Sequence, residues 1–328
     1  MDTLRGIAVI MMIAANSAAF LLLQPHPLWL RLYGSFAAPL FILISGMMVA
    51  YTARTEGHNL RHFSVRGAKV ILVGVLVDLT IWRIYPFTTV DVLYLIGVSI
   101  PLAYLFLRLR PAIQWVIIIA ILAATPLLQI ALGYADYPTE FNLLGQQTFI
   151  VSNQMGVLNH WLVDGWFPVF PWLGFSFLGA TLANIRWSSN SKDSFGGTGF
   201  LVAGLGLLVV GILVWLIFPG SLLVRAGYSE LFYPPSIGYA LTAIGLIVVL
   251  FTLVGWTSSS AICKPLSVVG ESSLFIYVLH LALIEYVIYP FLAQQYIQAF
   301  SATYVALLVV VALLAYGLRA VKEKREPI

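Results

Sequence analysis

The chain alternates long apolar runs with short polar breaks. Apolar runs of helix-spanning length occupy about 5–23, 33–53, 65–85, 90–108, 112–132, 166–185, 198–218, 234–256, 265–292 and 301–320. A helix needs roughly 20 apolar residues to cross a hydrocarbon core about 30 Å thick. Prolines punctuate many of the run ends, as at Pro86, Pro111, Pro219, Pro234 and Pro235, where the chain must turn. The pattern predicts an all-α polytopic membrane protein with about ten transmembrane helices in one domain, 1–328. No internal repeat is evident, and no linker is long enough to separate a second domain from the first. The longest polar interval, about 133–165, is too long for a plain turn. It is predicted to fold over the helix ends or to form a short interfacial helix.

Composition sharpens this picture. Hydrophobic residues make up 61% of the chain and charged residues 9%, against about 25% charged in a soluble domain. The mean hydropathy is +0.96. One cysteine, Cys263, excludes an internal disulfide framework and most cysteine-ligated metal sites. No phosphate-binding loop, dinucleotide fingerprint or zinc pattern is present, which argues against a nucleotide-hydrolysing transporter. Neither a metal nor a nucleic-acid partner is expected. The first run also has the outline of a signal peptide, but it continues through Leu23, and its flank holds one acid and one base. Both features fit a membrane helix better.

Basic residues set the orientation, because cytoplasmic loops collect Lys and Arg. With the N-terminus inside, the inner side holds Arg5, Arg54, Arg61, Arg66, Lys69, Arg108, Arg110, Arg186, Lys192, Lys264, Arg319, Lys322, Lys324 and Arg325. Only Arg31, Arg83 and Arg225 fall outside, with the acids Asp91, Asp136, Glu140, Asp164 and Glu230. A split of 14 to 3 among 17 basic residues predicts an even number of spans and both termini in the cytoplasm.

Polar side chains at membrane depth are costly and are candidates for function. Asn16, Asp78 and His280 fall roughly 14–21 Å along their helices from the inner side, at about 1.5 Å per residue. Asn16 also fits an interhelical hydrogen bond. Asp78 is badly spaced to pair with Arg83 on one helix face and is expected to meet another helix. Ser273, Tyr277 and His280 recur at spacings of four and three, a polar stripe that faces protein or a cavity. Glu285 lies further out. His26 and His160, taken alone, read as ordinary solvated histidines. Arg66 and Lys69, with Arg54 and Arg61, either set topology or hold a phosphorylated ligand, for which Arg and Lys are suited.

Five phrases occur in order along the chain: the opening "MDTLRGIAVIMMIAAN", then "HPLW", "FAAPLFILISGMMVAY", "WFPVFPWLGFSFLGATLANI" and "SLFIYVLHLALI". Together they resemble the transmembrane acyltransferase superfamily, and within it the catalytic domain of heparan-α-glucosaminide N-acetyltransferase. The resemblance spans residues 2–284. It implies transfer of an acetyl or acyl group from acyl-CoA to a sugar hydroxyl or amine. Matched position by position, it assigns His26 as the catalytic histidine and Asn16 as its polar supporter. Asp2 and Arg5 fall in the opening motif, one turn apart. The nucleotide and phosphates of the donor would lie near Arg5, Arg66 and Lys69, while His280, Tyr277, Asp78 and His160 would line the substrate path.

In chemical terms, His26 would act as base or itself carry the acyl group, and the Asn16 amide would donate to the oxyanion. The resemblance, without the extensions of the eukaryotic enzyme, implies a bacterial inner membrane. The expected partners are acyl-CoA, a sugar or glycan acceptor on the outer side and the bilayer, and a homodimer is compatible with the sequence. The main competing reading is a transporter or flippase for a small anionic or glycan-linked substrate, although the paired repeats common in transporters are not evident. An acyltransferase with an unrelated acceptor, or an assembly subunit without chemistry, are further alternatives.

Overall fold

A computed structural model describes residues 1–134, 143, 156–188, 197–218, 228–257 and 260–325, and among them it is helical with no β-strand. The helices are α1 (Asp2–Leu21), α2 (Leu28–Ser35), α3 (Ala37–Thr55), α4 (Leu60–Val77), α5 (Val92–Phe106), α6 (Pro111–Leu132), α7 (Val157–Asn159), α8 (Val169–Ser188), α9 (Thr198–Ile217), α10 (Ile237–Trp256), α11 (Cys263–Glu271), α12 (Ser273–Leu283), α13 (Tyr289–Leu292) and α14 (Ile297–Arg325). Their starts follow ordinary capping chemistry. Asn59 accepts from the His62 N–H at 3.2 Å, Asp91 from Leu93 N–H at 2.9 Å, and Ser236 from Tyr239 N–H at 3.1 Å.

All ten predicted runs fall on helices. Among the described residues, seven helical stretches are long and apolar enough to cross a membrane as they stand. Of the other three, α5 is shorter. The α8 run joins 157–164 across a 52° bend. The third, α4, carries Arg61, Arg66 and Lys69 within its length. The structure corrects one run: 265–292 is not a single helix. It breaks at Ser272 between α11 and α12, then passes through a π-helical turn at Ile284–Ile288. Most of the 133–165 interval, with Asp136 and Glu140, lies outside the described residues, as do Lys192 and Arg225.

The site depends on how α1 is held. It packs against α2, α3, α11, α12 and α14. Its contact with α11 is close because both helices present glycine at the crossing. A Cβ on Gly6 would strike the Leu266 carbonyl, and one on Gly270 would strike the Asp2 carbonyl. Small residues that let backbones approach are the usual basis of tight helix pairing in membranes, where lipid removes the hydrophobic drive. The Tyr304 hydroxyl adds a hydrogen bond from α14 to the Ile10 carbonyl, at 3.0 Å. At the C-terminal end of α1 the backbones of Leu21–Leu23 and Gln295 join through two hydrogen bonds, at 2.6 and 3.0 Å.

Candidate functional site

A cavity of about 760 Å³ runs beside α1. This volume lies within the range of about 300–1,000 Å³ typical of ligand sites. Along α1 it is lined by Arg5, Met12, Asn16, Ala19 and Phe20, then by Gln24 and His26 beyond the helix. Met12, Asn16 and Ala19 are spaced by four and three, so they share one face. The opposing wall comes from α3, α4, α5, α12 and the 228–233 segment.

One end of the cavity is basic. Arg66, Lys69, Val70 and Val73 are successive cavity residues of α4, again at helical spacing. Arg5 joins them and is paired with Asp2 at 2.7 Å. Glu271 lines the same end, 3.8 Å from Arg319 of α14. Arg66 and Lys69 also line a second depression of about 420 Å³ with Asn59, Arg61, His62 and Val65. The two spaces therefore share a basic rim.

At mid-depth the Asn16 amide nitrogen lies 2.9 Å from Nε2 of His280. Nδ1 of His280 is 2.8 Å from the Ile276 carbonyl, which only accepts, so Nδ1 carries the proton. Nε2 is then the acceptor, and Asn16 donates to it. His280 is fully buried. Both of its nitrogens are satisfied, which avoids the roughly 1–3 kcal/mol cost of an unpaired buried polar group. Beside it, the Tyr277 hydroxyl donates to both carboxylate oxygens of Asp91, at 2.8 and 3.0 Å. Tyr277, Ser273 and Asp91 line the cavity. Phe20, Trp82 and Trp166 form an aromatic wall, with ring centroids 5.5 and 5.2 Å apart along the series.

At the far end, His26 is 9% exposed. Its Nε2 lies 3.1 Å from the Leu22 carbonyl and its Nδ1 2.7 Å from the Ser229 hydroxyl. Desolvation, helped by nearby Arg31 and opposed by the Leu22 carbonyl, holds its pKa below the ordinary imidazole value. The ring is therefore neutral near pH 7, with the proton on Nε2. Glu230 lines this end too, and burial pushes its carboxyl pKa up.

The structure thus brings together Arg5, Asn16, His26, Arg66, Lys69 and Tyr277 around one cavity. Three residues expected on the substrate path are not among those lining this cavity. His280 is not among the lining residues and touches two that are, Asn16 and Tyr277. Asp78 is buried at a π-helical turn, accepting from the Tyr94 hydroxyl of α5 at 2.5 Å, while Arg83 turns to Glu285 at 3.6 Å. His160 is buried at the bend before α8. Reading the sequence missed Ser229, Asp91 and Glu230, which looked like ordinary loop residues. The available signal was that Asp91 and Glu230 are acids on the side expected to be poor in Lys and Arg.

The chain is thus helical, with a largely apolar cavity along its first helix that is basic at one end and holds a histidine at the other. The family model for heparan-alpha-glucosaminide N-acetyltransferase, catalytic, matches residues 1–218, about two thirds of the chain. The chain belongs to that family. No curated protein matches it. The matched stretch holds Asn16, His26, Arg66 and Lys69, while Ser229, Glu230, Tyr277 and His280 come from beyond it.

Proposed function

We propose that this protein transfers an acetyl or other acyl group from cytoplasmic acyl-CoA to an amine-bearing sugar or glycan on the outer side of the membrane. The observation that carries the reading is the single cavity that connects Arg5, Arg66 and Lys69 to Asn16 and His26. The basic end suits the phosphates of the donor, through the Arg fork and the Lys point charge. Its neighbouring basic depression has room for more of the nucleotide. The pantetheine arm would then run along α1 toward Asn16.

The Asn16 amide has two N–H groups. One is engaged by His280, and the other is available to the oxyanion that forms at the thioester carbon, the role such donors play in acyl transfer. His26 keeps one nitrogen unprotonated, as a base near neutral pH requires. Asp91 and Glu230 bring two acidic groups to the cavity; an ammonium beside them would hold Glu230 ionised against the burial that raises its pKa, a coupling that a neutral hydroxyl lacks. With both termini in the cytoplasm and all ten apolar runs spanning, the basic end faces the cytoplasm. That orientation is supported by the charge split among the loops.

The test uses purified protein in nanodiscs with radiolabelled acetyl-CoA and either glucosamine or glucose. Free thiol release that depends on acceptor, with glucosamine preferred, is the expected result. Label that crosses a vesicle wall with no thiol released would instead indicate a transporter.

A further inference from the structure

His26 has one nitrogen that can act as a base, and that nitrogen is covered. Nε2 points to the Leu22 carbonyl at 3.1 Å. A carbonyl only accepts, so Nε2 holds the proton. The lone pair is on Nδ1, and the Ser229 hydroxyl sits 2.7 Å from it. The hydroxyl must therefore donate, and Ser229 is among the residues that line the cavity.

Ser229 is held in place independently of His26. Its carbonyl accepts from Arg31 Nε at 2.8 Å. Two residues on, the Leu231 N–H donates to Ser35 Oγ at 2.7 Å. Ser35 Oγ donates in turn to the Arg31 carbonyl at 2.6 Å, and the Tyr239 hydroxyl donates to the Ser35 carbonyl at 2.6 Å. These bonds clamp 229–231 onto α2. A hydroxyl, a base within hydrogen-bond reach and a third group that orients the base are together the arrangement that activates a nucleophile. Leu22 supplies the third group here with a carbonyl instead of a carboxylate.

Building on the acyl-transfer reading above, we infer that Ser229 is the nucleophile and carries the acyl group as an ester between the two half-reactions. In the first, Ser229 Oγ attacks the thioester carbonyl carbon and its proton passes to His26 Nδ1. The C–S bond breaks, and the leaving thiolate takes that proton to become free thiol. In the second, the acceptor amine attacks the ester carbon and loses a proton to Nδ1. The C–O bond breaks, and His26 returns the proton to Ser229. No oxidant, metal or further reactant is consumed. An acceptor that met His26 directly would first have to displace the Ser229 hydroxyl from the one lone pair available.

The test is a single-turnover reaction of the full-length protein in nanodiscs with radiolabelled acetyl-CoA. Acceptor is withheld, and the reaction is followed by acid quench, proteolysis and mass spectrometry. The expected result is a burst of thiol approaching one per chain and an acetyl group on Ser229, discharged when glucosamine is added. Ser229→Ala should abolish both label and transfer. Ser229→Cys keeps a donor to Nδ1 and guards against misfolding as the cause. It should form a thioester cleaved by neutral hydroxylamine. Transfer by wild type without label on Ser229, or label on His26 instead, overturns the Ser229 step and leaves the transferase reading standing. No thiol release with or without acceptor overturns both.

Discussion

Asn16 and His280 are separated by 264 positions and meet side chain to side chain at 2.9 Å, the histidine buried and the amide facing the cavity. Each explains the other's presence in an apolar helix. The imidazole is a fixed acceptor, its tautomer set by Ile276 within its own helix, and it orients the amide of α1. Asn16→Ala is expected to lower kcat about 10²–10³-fold, the usual effect of losing one oxyanion donor. KM for acyl-CoA should change little. His280→Ala leaves the amide in place but unanchored. Losing one hydrogen bond of about 1–1.5 kcal/mol predicts a fall of about tenfold. Steady-state kinetics on both variants and on the double variant check this. The double variant should be no worse than Asn16→Ala, because His280 acts through Asn16.

This pair also marks the limit of what was legible beforehand. Period and charge gave the helical runs, the stripe of Ser273, Tyr277 and His280, and the basic face of α4. They could not give the partner of Asn16, because tertiary contact between α1 and α12 leaves no local trace in either segment. The break at Ser272 was hidden because the apolar run continues through it. Ser229 was invisible for a different reason. A serine in a polar loop has no distinguishing pattern, and its position follows from bonds to Arg31 and Ser35, nearly 200 residues earlier.

The environment of His26 sets a pH dependence. Desolvation lowers its pKa, and the neutral ring is the working form. A lowered pKa keeps the ring neutral to lower pH. The acidic limb of kcat/KM should therefore fall below about 6.5, the ordinary imidazole value. A rate profile across pH 4.5–8 checks this. His26→Ala should lose about 10²–10⁴-fold in rate and lose that limb, while acyl-CoA binding measured by calorimetry is retained.

Arg66 and Lys69 line both basic spaces, so each is expected to serve the donor's phosphates and not the chemistry. Charge-assisted hydrogen bonds contribute about 1.5–3 kcal/mol. Arg66→Ala or Lys69→Ala should therefore raise KM for acyl-CoA about 10–100-fold with kcat within a few-fold of wild type. Raising the salt should weaken donor binding by wild type and less so by the variants.

Glu230 tests the choice of acceptor. It lines the His26 end, and its effect depends on charge in the acceptor. Glu230→Gln should raise KM for glucosamine several-fold and leave a weak hydroxyl acceptor unaffected. Competition between glucosamine and glucose for the same labelled donor reads the difference directly. Equal loss for both acceptors would point to a structural role for this carboxyl.

The close crossing of α1 and α11 yields a contrast between two glycines. At Gly270 a Cβ would meet the Asp2 carbonyl, whereas at Gly255, in α10, it would meet nothing within 4 Å. A backbone atom cannot rotate away as a flexible side chain can, so Gly270→Ala must push the helices apart. Overpacking of this kind costs about 1–3 kcal/mol, and it displaces the helix that carries Asn16. Gly255→Ala restricts only the unfolded chain and should stabilise by about 0.4–1 kcal/mol. Melting temperatures in detergent should therefore move in opposite directions, down for Gly270→Ala and slightly up for Gly255→Ala. Only Gly270→Ala should also lose transfer activity at temperatures where it remains folded. Equal melting temperatures for the two variants would mean that α1 and α11 can separate without cost, and that Asn16 is positioned by something other than this crossing.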